Sequence, residues 1–342
     1  MSVSTFSALV GSGWTRRLAL VLVVASCGLL SSPAGSNASP GGLHILVTGT
    51  CVDEAVTPLA AAIQTLAGGA TVTTFDTSAG TPTVATLKAQ NLVVSLGDTC
   101  GANPPYGYAD ATAWGNELVA YIKGGGAVLQ AAYDNWDATN ASPAGEFASG
   151  GYAPFELGPN DNNSTTLGQL VVPQSPLLKT LGTFATDDNT TDALAPGATL
   201  LAKWADGRNA IAMKGRVVST TASADVTDVN PVDSSIAWLA VNTAMYFRVP
   251  DTKITKATIS SPKHEASFKF TSLGIATSFQ CALGKAHKKP AFKLCYSSKV
   301  YTNHHSSKSY TNLKPGNYTF EVRAVGKGGT DPTPAKKSFK IK

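Results

Sequence analysis

Short apolar runs and helical patterns take turns along the first part of this chain, and that alternation narrows its possible folds more than any other feature. Leu43 to Val47 is a strand-like run. Residues 53–67 place Leu59, Ile63 and Leu66 at helical spacing before Gly68-Gly69 stops them. Thr71 to Phe75 is a second strand and Asn91 to Leu96 a third, whose nearly unbroken apolar character fits burial on both faces. Residues 109–122 set Trp114, Leu118 and Ile122 on one side of a helix that Gly124-Gly125-Gly126 closes, and Ala127 to Ala131 follows as a fourth strand. Strands joined by helices cross over and lie parallel, so this half predicts an α/β domain with a mainly parallel sheet. From about residue 137 to 195 the pattern gives way to polar loops around Leu167 to Val172. It returns at Thr199 to Trp204 and Ala210 to Met213, which flank the hairpin signal Asp206-Gly207, and Ser234 to Phe247 reads as a closing helix.

Charge splits the chain where this pattern ends. Residues 43–250 hold 8 basic against 18 acidic side chains, whereas residues 251–342 hold 17 against 4, so a net charge of +5 hides two opposite halves. The basic half shows strand alternation throughout, as at Tyr318 to Ala324, with turn signals at Lys314-Pro315-Gly316-Asn317 and Gly328-Gly329. Three parts are therefore expected: a leader and linker at 1–42, an α/β domain at 43–250, and an all-β sandwich at 251–342.

The leader carries Arg16-Arg17 and then the apolar run Leu18 to Ala25, a signal-peptide pattern too short for a stop-transfer helix. Small residues suit cleavage after Ala34 or Ala38. Val24-Ala25-Ser26-Cys27 also resembles a bacterial lipobox, which implies a lipid anchor at Cys27, and the arginine pair faintly resembles a twin-arginine signal. A secreted or cell-surface protein is expected, with no transmembrane helix in the mature chain. Setting Cys27 aside leaves Cys51, Cys100, Cys281 and Cys295, an even number that suits two disulfides in an oxidising compartment. Their separations favour 51 with 100 and 281 with 295, although four cysteines permit three connectivities and four buried thiols are the alternative.

Ligands of open parallel sheets bind beyond the carboxyl ends of the strands. Those ends present Thr48, Thr50 and Cys51, then Asp98, Thr99 and Cys100, then Tyr133, Asp134 and Trp136. The acidic half has only His44, at the opposite end of its strand, so histidine-based triads and zinc sites lack their base or ligand. Asp98, Asp134 and Asp137 offer an acid and a base for a glycosidase, while Tyr133, Trp136 and Tyr152 offer faces on which a sugar stacks. The acidic loops Asn160-Asp161-Asn162-Asn163 and Asp187 to Asp192 lack calcium-loop spacing, His304-His305 reads as a solvated loop, and the three glycines precede a strand where a phosphate cradle needs them after one. No cofactor or metal is expected. The lysines of the basic half lack interleaved aromatics, which argues against nucleic acid and leaves extracellular glycans or anionic envelope polymers as partners.

Several stretches resemble the class I glutamine amidotransferase-like superfamily, especially its trehalose-utilisation-like branches: LHILVTG at 43–49, FDTSAGTPTVATLKAQNLVVS at 75–95, YIKGGGAVLQAA at 121–132, GGYAPF at 150–155, SPLLKTLGTF at 175–184 and AKWADGRNAIA at 202–212. The resemblance implies a flavodoxin-like or amidotransferase-like architecture over about residues 43–248. It also implies a cysteine on the tight turn after the glycines, or a histidine near it in the trehalose-utilisation-like relatives, where this chain has Ala131 or Ala132. FQCAL at 279–283, Cys295, LKPGNYTFEVRA at 313–324 and TDPTPA at 330–335 resemble bacterial extracellular immunoglobulin-like modules, and that family implies a Cys281–Cys295 bridge. The turn Gly326-Lys327-Gly328-Gly329 departs from it, because an acidic, asparagine-containing turn is usual there. The expectation is an exported, non-catalytic binding protein with ligand residues Asp98, Thr99, Tyr133, Asp134, Trp136 and Tyr152. The alternatives are a carbohydrate-active hydrolase using Asp98 with Asp134 or Asp137, and a structural spacer.

Overall fold

A computed structural model describes residues 42–50, 52–97, 107–161, 163–187, 189–223, 234–285, 291–297 and 306–342. The leader with Cys27, then Cys51, Asp98, Thr99, Cys100, His287 and His304-His305 lie outside these residues, and so do the expectations placed on them.

The first part runs β1 (His44–Gly49), α1 (Thr57–Leu66), β2 (Thr71–Asp76), α2 (Val84–Lys88), β3 (Leu92–Leu96), α3 (Ala111–Lys123), β4 (Val128–Gln130) and α4 (Gly145–Ser149). It continues with β5 (Asn160–Asp161), β6 (Thr165–Leu170), β7 (Ala185–Thr186), β8 (Asn189–Thr190), β9 (Thr199–Trp204), β10 (Asn209–Lys214), β11 (Val217–Thr220) and α5 (Ser234–Phe247). Nine of these strands form one sheet in the order β2-β1-β3-β4-β11-β10-β9-β6-β7, and β5 pairs with β8 separately. The strands from β2 to β11 are parallel, and those from β11 to β7 are antiparallel. The sheet is thus mixed rather than mainly parallel. The cause is local, because β9 reaches β10, and β10 reaches β11, through turns too short for a crossover. Gly207, at φ +92°, supplies the left-handed residue of the first turn.

Alternate residues of the parallel strands enter two cores, as a period of two requires. Ile45, Val47, Val94 and Leu129 pack with Leu59, Ile63 and Leu239 of α1 and α5. Leu46, Val93, Val128 and Val217 pack with Trp114, Leu118 and Phe147 of α3 and α4. Each such side chain contributes roughly 1.5–3 kcal/mol of burial. Helix α3 begins where the Asp110 carboxylate accepts the Ala113 N–H at 2.8 Å. It ends at Gly124, and Gly126 cannot carry a side chain, since a Cβ there would lie 2.3 Å from the Tyr121 ring.

The second part is all β: β12 (Asp251–Ser260), β13 (Glu265–Leu273), β14 (Ala276–Lys285), β15 (Lys293–Ser297), β16 (Ser306–Tyr310), β17 (Gly316–Gly326), β18 (Gly329–Thr330) and β19 (Ala335–Ile341). One sheet is ordered β12-β13-β16, and the other is β15-β14-β17-β18 with β19 also on β17. Phe268 of the first sheet stacks on Phe320 of the second at 4.0 Å between ring centroids, inside a core shared with Phe270, Phe279 and Val322. Cys281 on β14 is bonded to Cys295 on the neighbouring β15, with Cα atoms 5.5 Å apart. Buried Asp331 fixes the return of the chain, accepting the Thr252 N–H at 2.9 Å and the Thr333 N–H at 2.8 Å.

The two parts meet through Ile275, which packs on the first part's core and whose N–H donates to the Met245 carbonyl at 3.3 Å, and through Arg216. Its guanidinium donates to the carbonyls of Gly126 (3.0 Å), Phe247 (3.1 Å) and Lys327 (3.2 Å) while lying 4.8 Å from the centre of the Phe247 ring. This contact explains the departing turn Gly326-Lys327-Gly328-Gly329, because a Cβ on Gly328 would approach the Arg248 and Phe247 backbones to 2.3 Å. Among the described residues no helix is long and apolar enough to cross a membrane.

Candidate functional site

The carboxyl ends of the parallel strands turn polar in step. Thr48, Ser95, Gln130 and Ser219 stand side by side across β1, β3, β4 and β11, and all four are fully buried. Buried polar groups need partners. Thr48 donates to the Val94 carbonyl at 2.9 Å. Ser95 Oγ lies 2.9 Å from Tyr108 Oη and accepts from Trp114 Nε1 at 3.1 Å. Ser219 donates to Asn135 Oδ1 at 3.0 Å, and Asn135 Nδ2 donates to the Thr220 carbonyl at 3.1 Å.

After β4 the chain makes a 3₁₀ turn, Ala132–Asn135, that drives Asp134 back under the strand ends. Asp134 is 1% exposed, accepts the Tyr108 hydroxyl, and takes a long bond from Gln130 Nε2 at 3.5 Å. Burial pushes its carboxyl up to about 7, against the pull of its donors, with Tyr108 first among them. Burial also raises the Tyr108 phenol well above its ordinary value, and the neighbouring Asp134 charge raises it further. Asp134 is therefore not a rim residue. The turn expected to present it folds it inward.

Tyr133 and Trp136 do come together, edge to face with centroids 5.9 Å apart, and both are half-buried. Tyr152 does not join them. It stacks on Phe147 of α4, and neighbouring Gly151 lies beside Lys214 at the amino-terminal edge of the sheet. Asp137 is exposed, and its N–H donates to the Gly158 carbonyl at 3.0 Å.

A second buried carboxyl lies beside Gly158. Asp192 is 6% exposed, its Oδ2 accepts the Thr190 hydroxyl, and its Oδ1 has no hydrogen-bond partner. A Cβ on Gly158 would come within 2.5 Å of that Oδ1. Burial, and to a lesser degree the Asp137 charge, push Asp192 up to about 8. In the sequence Asp192 looks like one more acid of the polar loop Asp187 to Asp192, and nothing there marks it for burial.

The two acidic loops are drawn together around a guanidinium. Strands β5 and β8 pair, and Arg208, from the β9–β10 turn, donates to Asp161 at 2.7 Å, to Asn189, and to Asp206 at 2.7 and 3.0 Å. Arg208 holds Asp206 down to about 2. The described residues contain no group of three or more acidic, histidine or cysteine side chains arranged to hold a metal. Beside this cluster a groove of about 570 Å³ is lined by Ser164, Thr165, Thr166, Thr186, Asp187 and Asp206, at the same edge of the sheet.

Residues 293–342 match the Y_Y_Y domain family, a match that falls wholly within the second, all-β part. No curated protein matches the chain. Among solved structures it is similar to a cytoplasmic protein from Salmonella typhimurium, at 11% identity over 60% of this chain and 98% of that one, TM-score 0.43. It is similar to a ThuA-like protein from Bacteroides uniformis, at 12% identity over 63% and 96%, TM-score 0.44. It is also similar to a glutamine amidotransferase from Thermotoga maritima, at 16% identity over 53% and 75%, TM-score 0.38.

Proposed function

We propose that the chain is an exported binding protein whose sheet crest takes a glycan without chemistry. The observation that carries this reading is the sealing of Asp134 at 1% exposure, which withdraws from any substrate the carboxylate nearest the end of β4 among the described residues. Ala131, one of the two positions where the resemblance expects a nucleophile, is itself buried at 2% exposure. The Tyr133–Trp136 pair offers apolar ring surface, and the separate groove at β6 and β7 adds the hydroxyls of Ser164, Thr165, Thr166 and Thr186 to a mostly apolar lining. The disulfide fits an oxidising compartment. Calorimetric titration with a panel of neutral oligosaccharides, paired with product analysis, tests the reading. Saturable binding that weakens on the order of tenfold in Trp136→Ala, with no product, is expected; steady turnover would defeat it.

One observation favours a second reading, a carbohydrate-active hydrolase. Exposed Asp137 and buried Asp192, which burial pushes up to about 8, both lie beside Gly158, so a second carboxyl is available near the turn after β4. That reading requires turnover lost in both Asp137→Asn and Asp192→Asn and retained in Asp134→Asn.

A further inference from the structure

We infer that the outward face of the β12-β13-β16 sheet is a docking surface for an acidic polysaccharide, a polymer carrying carboxylates at sugar spacing. Phe268 and Phe270 of β13 point into the sandwich core, so Ser267, Lys269 and Thr271 point outward. Register then fixes the rows: Thr258, Ser267 and Ser309 stand side by side, as do Lys256, Lys269 and Ser307, and Lys253 stands beside Thr271. Lys253, Lys256 and Lys269 are exposed, and none of them belongs to an ion pair among the described residues.

Lys256 and Lys269 oppose each other directly, an arrangement that destabilises a sheet. Lysines on an edge strand guard against edge-to-edge pairing, which accounts for Lys253 and Lys256 on β12. Lys269 cannot serve that purpose, because β13 is the middle strand. An anion seated between the two ammonium groups relieves the repulsion, and cross-strand neighbours about 5 Å apart present cations at intervals comparable to a sugar unit. The flanking serine and threonine hydroxyls both donate and accept, as sugar hydroxyls require. These rows carry no aromatic ring on which a base would stack and no bulky apolar side chain to enter a lipid surface. Asp251 and Glu265 stand at the two ends and bound the cationic strip.

This surface lies on a different sheet from the crest, so its test does not depend on the glycan reading. The full chain is passed over immobilised polygalacturonate across a salt series, with dextran, polyphosphate and anionic lipid vesicles as separate arms. Retention on polygalacturonate that falls with salt is expected, together with binding about tenfold weaker in the double variant Lys256→Gln/Lys269→Gln. Lys340→Gln/Lys342→Gln, which removes equal charge elsewhere, should bind as the wild type does. Equal loss in the two double lysine variants, or equal retention on polyphosphate or vesicles, would overturn the inference. The urea midpoint of the first double variant should be unchanged or raised; a lowered midpoint would contradict the repulsion on which the site is built.

Discussion

Tyr108 donates its hydroxyl to the carboxylate of Asp134 across the end of β3, with both residues sealed from solvent at 3% and 1% exposure. The same oxygen meets Ser95, which accepts from Trp114, so one phenol ties α3, a strand end and the turn after β4. Tyr108→Phe would strip a buried carboxylate of its strongest donor, and urea unfolding should show a loss of about 1–3 kcal/mol. Because the Tyr108 bond is the largest effect pulling Asp134 down, the variant's Asp134 should titrate still higher. An unchanged urea midpoint would mean that the network orders the crest without stabilising it.

Asp134 and Asp192 give stability a definite pH dependence. Each folded carboxyl is held above its ordinary value of 3.8, at about 7 and about 8, so the folded chain keeps protons that the unfolded chain releases. Their contribution is complete below about pH 4 and is lost as pH rises, by about 7 for Asp134 and by about 8 for Asp192. Relative to wild type, Asp134→Asn should therefore gain stability from about pH 4 to 7 and then level off, by at most about 4 kcal/mol. Asp192→Asn should follow the same course with its plateau nearer pH 8. Urea titrations across this range measure both differences, and a difference independent of pH would refute the assignment.

Periodicity made the parallel half legible because it reports burial. The run Leu92 to Leu96 is buried at every position, and the apolar stripe of α3 faces a core. The closing helix follows the same logic, since a segment apolar on nearly every side has to be enclosed. The antiparallel half was harder to read, because strands such as Thr165 to Leu170 are largely exposed and carry no burial signal. The polar row of Thr48, Ser95, Gln130 and Ser219 arises from register, which aligns residues far apart in the chain. Asp134 and Asp192 differ from surface aspartates only in what folds over them. Tyr152 is a related case, because an aromatic beside glycines looks like a rim residue until α4 packs it against Phe147.

The Cys281–Cys295 bridge closes a loop with a sequence separation of 14, a length worth roughly 3 kcal/mol on the chain-entropy account. It joins β14 to β15, the outer strand of its sheet, so its loss should first free that strand. Cys281→Ala/Cys295→Ala should lose about that much in urea unfolding, with faster amide exchange concentrated in residues 293–297. Exchange that accelerates evenly over both sheets would mean the bridge holds the whole sandwich rather than its edge.

The junction at Arg216 offers the sharpest structural test. Its three carbonyl partners come from the β4 approach, the end of α5 and the turn before β18, so a single side chain joins both parts of the molecule. Gly328 supplies the close approach that lets the turn reach it. Arg216→Ala leaves three carbonyls to find other partners, whereas Gly328→Ala pushes the turn away from the Arg248 backbone, a distortion costing roughly 1–3 kcal/mol. Both variants should loosen the same contact by opposite routes. Calorimetry should then resolve two unfolding transitions where the wild type shows one, and protease should cut near Val249 in both variants. The sandwich itself should keep its midpoint in each, because Phe268, Phe320 and the disulfide lie away from the junction. A single transition that merely moves to lower temperature would show that the two parts share one folding unit, with Arg216 one contact among many.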